Sequence, residues 1–308
     1  MNIIEKIKKL KEEKQAVILA HYYVSDEVQA VADYVGDSFY LSKVAVDLKA
    51  QVIVFCGVSF MGESAKILNP EKRVFMPDAL ADCAMAHMAD PAYIEQVKSQ
   101  YGDLKVVCYI NSTAEMKALS DVCVTSANAV DIVRELPTQH ILFIPDENLG
   151  RYVAEQVPEK TFIFNPGYCP IHAQMKAEEI KQLKKQHPGA LVLTHPECRE
   201  DVIAVSDYIG STSGIIKYAA SSDAEEFIIC TESGVSYELG RKAPGKKFYF
   251  PETLPVCADM KLVTLEKIAE VLENETGEMF ISGELAEAAG KPLRAMLELA
   301  QKAQREKK

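Results

Sequence analysis

Apolar and polar positions along this chain alternate between two patterns. Short runs of consecutive apolar and often β-branched residues, such as residues 52–56 and 227–230, are typical of strands that are buried on both faces. The segments between them are longer, and residues 1–15, with Ile3 and Ile7 among lysines and glutamates, show the one-sided pattern of an amphipathic helix. The alternation predicts an α/β fold in which helices cover parallel sheets.

The succession of strands and helices occurs three times along the chain. Polar residues at three places in each copy mark the repeat: at the end of the first strand, two residues later, and at the start of a following helix. In chain order these are His21, Tyr109 and His195; Tyr23, Asn111 and Glu197; and Ser38, Ser126 and Thr212. Within each set the residues are 88 and 86 residues apart. A constant period of this kind predicts repeated structural units.

The end of each copy carries a cysteine. The fourth apolar run of each copy leads into a proline, and shortly after the proline come Cys83, Cys169 and Cys257, which are 86 and 88 residues apart. We predict three homologous parallel-sheet αβα units arranged around a pseudo-threefold axis, with residues 1–89, 90–175 and 176–262. Residues 263–308 are expected to form a C-terminal helical brace that packs back on the first unit.

The ends of the parallel strands are where a ligand is expected. Ligands of open parallel sheets bind beyond the carboxyl ends of the strands, so the marked side chains of three units would meet at the axis. Hydroxyls at helix starts can accept an anion, although each of them, taken alone, is also an ordinary N-cap. Three at the same repeat position favour a pocket for phosphate or carboxylate.

Charge and composition limit the kinds of molecule that the protein is expected to bind. The net charge of −11, without a long basic run, opposes binding to nucleic acid. No apolar run reaches the roughly 20 residues that span a bilayer, and the N-terminal segment lacks the apolar stretch of an export signal. We therefore expect a cytoplasmic protein that acts on small molecules, with no membrane partner. In that reducing compartment the eight cysteines are unsuited to a disulfide framework.

Three cysteines at one repeat position suggest a metal centre. Three thiolates without a fourth protein ligand suit one 4Fe-4S cluster with an open iron, which acts as a Lewis acid, or a zinc ion completed by water. The alternative is that Cys83, Cys169 and Cys257 are merely buried small side chains. The cysteines expected to be core are Cys56, Cys108, Cys123 and Cys230. Cys198 is left open, Glu63 is expected to be a cap or a surface charge, and His87, His140, His172 and His187 are expected to be structural.

The ordered motifs of the chain resemble those of the quinolinate synthase family from the first strand to the final helix. The motifs are Ala20-His21-Tyr22-Tyr23, Gly36-Asp37-Ser38, Phe60-Met61-Gly62-Glu63-Ser64-Ala65-Lys66-Ile67-Leu68, Val124-Thr125-Ser126, Leu149-Gly150-Arg151-Tyr152, His195-Pro196-Glu197 and Gly210-Ser211-Thr212-Ser213. The resemblance implies a triangular three-domain fold and a 4Fe-4S cluster on Cys83, Cys169 and Cys257. Some members carry a Cys-x-x-Cys group near the third ligand, whereas Cys257 stands alone here.

The resemblance also implies an activity and roles for residues. The activity is condensation of iminoaspartate with dihydroxyacetone phosphate to give quinolinate, phosphate and water in NAD biosynthesis, with a transient partner that supplies iminoaspartate. Catalytic roles fall to Tyr23, Tyr109, His195 and Glu197, of which Tyr23 and Glu197 would move protons. The residues that would bind substrate are His21, Ser38, Tyr109, Asn111, Ser126, His195, Glu197 and Thr212.

Two other functions fit the same residues. An open iron could serve another dehydratase that removes a hydroxyl from a hydroxy acid, since loss of a hydroxyl does not itself specify a pyridine product. A non-catalytic metal or redox protein would instead have a coordinatively saturated site. Formation of quinolinate distinguishes the first alternative, and a spectral response to small carboxylates argues against the second.

Overall fold

The computed structural model of the protein describes residues 2–306. Met1 of the predicted N-terminal helix, and Lys307 and Lys308 of the predicted C-terminal brace, lie outside the described residues. The first unit carries one parallel four-stranded sheet. Its elements are α1 (Ile3–Lys14), β1 (Ala16–His21), α2 (Asp26–Val31), β2 (Tyr34–Gly36), α3 (Ser38–Asp47), β3 (Val52–Cys56), α4 (Ser59–Leu68), β4 (Arg73–Phe75) and a 3-10 turn (Ala84–His87).

The second and third units repeat this order. The second contains α5 (Pro91–Lys98), β5 (Lys105–Tyr109), α6 (Ala114–Ala118), β6 (Val122–Val124), α7 (Ala129–Glu135), β7 (His140–Ile144), α8 (Glu147–Gln156), β8 (Thr161–Phe164) and α9 (Pro170–Ala173). The third contains α10 (Ala177–Gln186), β9 (Leu191–Thr194), α11 (Glu200–Ile203), β10 (Tyr208–Ile209), α12 (Thr212–Ser221), β11 (Glu226–Cys230), a 3-10 turn (Ser233–Val235), α13 (Ser236–Lys242), β12 (Lys247–Tyr249) and α14 (Ala258–Lys261).

The three sheets share one topology. Their strand orders are β2-β1-β3-β4, β6-β5-β7-β8 and β10-β9-β11-β12, and every strand pair is parallel. The central strands are the apolar runs of the sequence because both of their faces are covered by helices. Ile18 and Val54, which pair across β1 and β3, are fully buried. The predicted α/β class with three parallel-sheet units is confirmed.

A repeated aspartate fastens the second strand of each unit to the first. Asp33, Asp121 and Asp207 precede β2, β6 and β10, and the carboxylate of each accepts a hydrogen bond of 2.8 Å from a backbone N–H near the start of β1, β5 or β9. A lysine lies beside each carboxylate, at 2.7 to 3.3 Å. This part of the repeat is therefore structural, because it lies at the amino ends of the strands, away from the ends where the marked side chains stand.

The C-terminal segment consists of α15 (Leu265–Asn274) and α16 (Gly283–Glu306). Helix α15 packs against α1 and β3 of the first unit. Helix α16 packs against α4 of the first unit and more extensively against α6, β6 and α7 of the second. Its 24 residues are long enough to reach both units, and Ala289, Leu293 and Met296 form a fully buried stripe along it. Within the described residues, no helix combines the length and the apolar character needed to cross a membrane.

Glu63 joins the first unit to the second. Its carboxylate accepts a hydrogen bond of 2.9 Å from the backbone N–H of Ala114, the first residue of α6. The fully buried Lys117 on the same helix lies 5.5 Å from the ring centre of Phe60, which belongs to α4 like Glu63. Of the two expectations for Glu63, a helix cap or a surface charge, the structure therefore shows a cap, which joins the first unit to a helix of the second.

Candidate active site

One cavity of about 220 Å³ lies where the strand ends of the three units meet. Its lining includes all twelve residues that the sequence marks as ligands or substrate contacts: His21, Tyr23, Ser38, Cys83, Tyr109, Asn111, Ser126, Cys169, His195, Glu197, Thr212 and Cys257. They converge because β1, β5 and β9 are parallel strands of equivalent units, and His21 and Tyr109 are the last residues of their strands. The structure thus brings the predicted residues together, while their chemical roles stay predictions.

The three metal-ligand candidates have the same local structure. Cys83, Cys169 and Cys257 each occupy the N-cap position of a short helical turn that follows the fourth strand. Backbone N–H groups of the turn point at each thiol and favour its ionised form, whereas burial opposes it. Burial dominates and raises the pKa of all three thiols, that of Cys83 to about 12. A metal is the usual means of holding such buried thiols as thiolates.

The three thiols line the same cavity and influence one another's ionisation. A charge on Cys257 raises the pKa of Cys83, and a charge on Cys83 raises the pKa of Cys169. Because each cysteine comes from a different unit, the fold is what makes them neighbours. Three converging soft donors fit an iron-sulfur cluster with three protein ligands.

The remaining five cysteines lie in the core. Cys56, Cys108, Cys123 and Cys230 are strand residues with no exposed surface, which confirms the expectation for them. Cys198 is 1% exposed and its sulfur faces Met175 and the carbonyl of Cys230, so it is absent from the cavity lining. None of the eight cysteines, all of which are described, forms a disulfide.

Glu197 is at the centre of the polar groups in the cavity. Its Oε2 lies 2.6 Å from His172 Nδ1 and 3.7 Å from His195 Nδ1, and the Tyr109 hydroxyl donates to the carboxylate. Burial alone would raise the pKa of Glu197, but the two imidazoles and these hydrogen bonds lower it below its usual range. The carboxylate is therefore ionised at neutral pH.

Two histidines and two tyrosines of the cavity are neutral. Burial lowers the pKa of both His21 and His195 to about 3. Burial, together with the Glu197 charge, raises the pKa of Tyr23 and Tyr109 well above the usual value for a phenol. The neutral imidazoles and phenols beside the ionised Glu197 can therefore donate hydrogen bonds or protons to a bound molecule.

Two residues of this network were not predicted. The expectation that His172 is merely structural is wrong, because its ring lines the cavity between Glu197 and Thr231, with Nε2 3.0 Å from Thr231 Oγ1. Thr231 also lies 2.8 Å from the Tyr23 hydroxyl. His172 lies on α9, three residues after Cys169. This spacing of about one helical turn places the two side chains on the same face, and it was the signal in the sequence that could have indicated a place for His172 in the site. His87, His140 and His187 lie outside the cavity lining.

The repeated hydroxyls do not cap the helices that they precede or begin. Asp37 caps α3 and Ser211 caps α12, so Ser38 and Thr212 are one residue inside their helices. Ser126 precedes α7 by three residues, and its Oγ lies 3.1 Å from His195 Nε2. The interpretation of these hydroxyls as ordinary N-caps is therefore wrong, and they are free to face a ligand.

Three buried oxygens on residues that line the cavity lack a partner among the described residues. They are Asp37 Oδ2, Asn111 Oδ1 and Glu197 Oε1, none of which has a hydrogen bond within the protein. An unpaired buried oxygen costs free energy of about 1–3 kcal/mol, so a bound molecule that donates hydrogen bonds would be stabilised here. These atoms lie in the cavity that also holds the thiols.

Comparisons with known proteins agree over nearly the whole chain. The family model described as NadA, quinolinate synthetase A protein, matches residues 5–298. A quinolinate synthase of Fusobacterium nucleatum is 53% identical over 296 residues, which cover 96% of this chain and 99% of that protein. For those of Clostridioides difficile and Caldicellulosiruptor bescii, the identities are 51% over 295 residues and 50% over 293, with coverage of 96% and 95% of this chain and 97% of each relative. The similarity spans all three units and the C-terminal helices.

Proposed function

This chain belongs to the quinolinate synthase family, a family of enzymes, and on that premise we propose that it condenses iminoaspartate with dihydroxyacetone phosphate. The products are quinolinate, phosphate and water, and the reaction belongs to NAD biosynthesis. The observation that carries the proposal is the convergence of twelve residues from three units on one cavity of a size suited to small molecules.

The proposed cofactor is one 4Fe-4S cluster held by Cys83, Cys169 and Cys257. When bound, it would supply a Lewis-acidic iron with an open coordination position. A single ion on Cys169, His172 and Glu197 is the alternative, since their ligand atoms lie within 4.8 Å of one another. However, two ligands of a tetrahedral zinc ion lie about 3.3 Å apart. His172 Nδ1 lies 3.2 Å from Cys169 Sγ, which is close to that spacing, but only 2.6 Å from Glu197 Oε2, which is too short for two ligands of one ion. The three thiols are therefore the better ligand set.

The polar groups of the cavity suit two small anionic substrates. Ser38, Ser126 and Thr212 present hydroxyls from three units, and the neutral His21 and His195 can donate hydrogen bonds without a counter-charge. The net charge of −11 gives no long-range attraction for anions. Binding would therefore depend on these local donors, together with the amide of Asn111.

Proton transfer is assigned to Glu197 and Tyr23. Glu197 is ionised and its Oε1 is unpaired, so this oxygen can take a proton from a bound substrate. The Tyr23 hydroxyl lies 2.7 Å from Thr212 and 2.8 Å from Thr231, which fix the phenol in the cavity. Its raised pKa keeps the phenol protonated, as a proton donor to a leaving oxygen needs.

An anaerobic assay with both substrates tests the proposed function. The purified protein should contain about four irons and four sulfides per chain and should form quinolinate only when both substrates are present. Omission of either substrate is the control. Turnover of a hydroxy acid without quinolinate would favour the other dehydratase, and zinc in place of iron would overturn the cluster.

We expect that Ser126→Ala will weaken substrate binding without weakening the fold. Loss of one hydrogen bond to a charged group corresponds to an increase of about 10-fold to 100-fold in KM. The melting temperature should be unchanged because Ser126 does not cap a helix. The matched control is Thr264→Ala, which removes the cap of α15 and should cost about 1 kcal/mol of stability with an unchanged KM. A lower melting temperature with an unchanged KM for Ser126→Ala would contradict the binding role.

A further inference from the structure

A carboxylate accepts the backbone N–H of each proposed cluster ligand. Asp82 Oδ1 lies 2.8 Å from the nitrogen of Cys83, and Asp146 Oδ2 lies 3.1 Å from that of Cys169. In the third unit, Glu232 Oε1 lies 3.0 Å from the nitrogen of Cys257. The same contact is thus present at all three ligands.

The carboxylates do not all come from the same place in the repeat. Asp146 and Glu232 are 86 residues apart and lie two residues beyond β7 and β11, where the first unit has Val58. In the first unit the acid is instead Asp82, directly before Cys83, where the other units have Tyr168 and Val256. The carboxylate that contacts the cysteine N–H thus comes from different positions of the chain in different units. Descent from one repeat therefore does not by itself explain the contact.

Each carboxylate also ties its cysteine loop to the end of the third strand. The second oxygen of Asp146 accepts from the N–H of Leu149 at 2.7 Å, and that of Glu232 accepts from Gly234 at 2.6 Å. Asp82 accepts from the hydroxyl of Ser59, which follows β3 in the same way.

Backbone hydrogen bonds reinforce this attachment in every unit. The bonds, each of 2.8 Å, run from Ser59 N to Ala81 O, from Glu147 N to Gly167 O and from Ser233 N to Pro255 O. Each cysteine loop is thereby attached to the neighbouring strand end at two points. A loop attached in this way has little freedom to move its thiol away from the cavity.

Burying these acidic side chains costs free energy of folding. Asp146 and Glu232 have no exposed surface, and a buried carboxylate is expensive unless its hydrogen bonds are satisfied. A serine would cap α8 as well as Asp146 does, with a smaller desolvation cost. It has one oxygen, however, and could not hold both Leu149 and Cys169.

We infer that Asp82, Asp146 and Glu232 are positioning residues for the three ligands of the cluster. The inference rests on the proposed function, because it takes these cysteines as ligands. Each carboxyl side chain accepts the N–H of its cysteine and so holds the cysteine loop in place. Residues that fix the position of a metal ligand in this way strengthen retention of the metal.

The test compares anaerobically loaded wild-type protein with Asp146→Ser and Glu232→Gln. Asp146→Ser keeps an acceptor for Leu149 and removes the oxygen that holds Cys169. We expect roughly 10-fold to 100-fold weaker retention of iron, measured as faster bleaching by an iron chelator. The EPR spectrum of the reduced cluster, which reports the geometry of its ligands, should differ from that of the wild type in both variants. Asp82→Asn is the further variant if a buried substitution prevents folding, because Asp82 is only half-buried.

The matched control is Asp90→Ser, which alters an aspartate that caps α5 through Ala92 and contacts no cysteine. Its iron retention and EPR spectrum should equal those of the wild type. Wild-type iron retention and a wild-type EPR spectrum in folded Asp146→Ser and Glu232→Gln would overturn the inference while leaving the proposed function intact. A wild-type protein without iron and sulfide would instead overturn the proposed cluster, and the positioning role with it.

Discussion

Replacing Cys169 by serine will leave the purified protein without an iron-sulfur chromophore and without turnover. Cys169 is the ligand candidate of the second unit, and its sulfur is coupled to Cys83. Three thiolates are the full protein ligand set proposed for the cluster, and serine offers a hard, weakly acidic oxygen in place of a soft thiolate. Iron and sulfide analysis with the visible spectrum measures the first loss, and quinolinate formation measures the second. Cys83→Ser and Cys257→Ser should behave in the same way.

Cys56→Ala is the matched control for this loss. Cys56 ends β3 in the core of the first unit and has no exposed surface, so its removal should affect packing alone. Deletion of one buried sulfur lowers stability by a few kcal/mol at most and should leave iron content unchanged. If Cys56→Ala lost its iron as completely as Cys169→Ser, the assignment of ligands by repeat position would be wrong.

The period in the sequence was sufficient to predict the fold class. A strand end and a cysteine that recur at spacings of 86 and 88 residues indicate equivalent units, and equivalent units place equivalent residues alike. The convergence of His21, Tyr109 and His195 on one cavity follows from parallel strands that point toward a common axis. Long-range proximity was therefore predictable wherever it was a consequence of the repeat.

Contacts that break the repeat were not predictable in this way. His172 has no counterpart in the other units, and its place beside Glu197 depends on the turn of α9 after Cys169. Thr231 stands where the other units have Gly57 and Pro145, so nothing in the repeat marks it. The reach of α16 to the second unit depends on helix length and on which groove accepts its apolar stripe, which is a property of the assembled core.

The exact capping residue of a helix was also not predictable from the sequence. The motifs Gly36-Asp37-Ser38 and Gly210-Ser211-Thr212 each contain two adjacent residues that are able to cap, and the sequence does not say which one does. The structure assigns the caps to Asp37 and Ser211. A shift of one residue turns Ser38 and Thr212 from caps into groups that line the cavity, because successive residues at a helix start point in different directions.

The proposed role of Glu197 as a base is compatible with its lowered pKa. The imidazoles of His172 and His195 stabilise its charge in the protein alone. An anionic substrate bound beside Oε1 would disfavour that charge and raise the pKa of Glu197, since like charges at close range oppose ionisation. The carboxylate would thus accept a proton most readily when substrate is present. The residues at this repeat position are Tyr23, Asn111 and Glu197, and only Glu197 has a carboxylate on which both effects can act.

Glu197→Gln should therefore lower turnover by roughly 10²- to 10⁴-fold while the protein keeps its iron and sulfide. Glutamine preserves the size of the side chain and a hydrogen bond to His172 or Tyr109, but its amide does not accept a proton. The matched control is Glu63→Gln, since Glu63 is also a largely buried carboxylate but caps α6 outside the cavity. Turnover close to that of the wild type in iron-loaded Glu197→Gln would leave Glu197 a binding residue and would move the assignment of the base to His195, whose Nε2 lies 3.1 Å from Ser126.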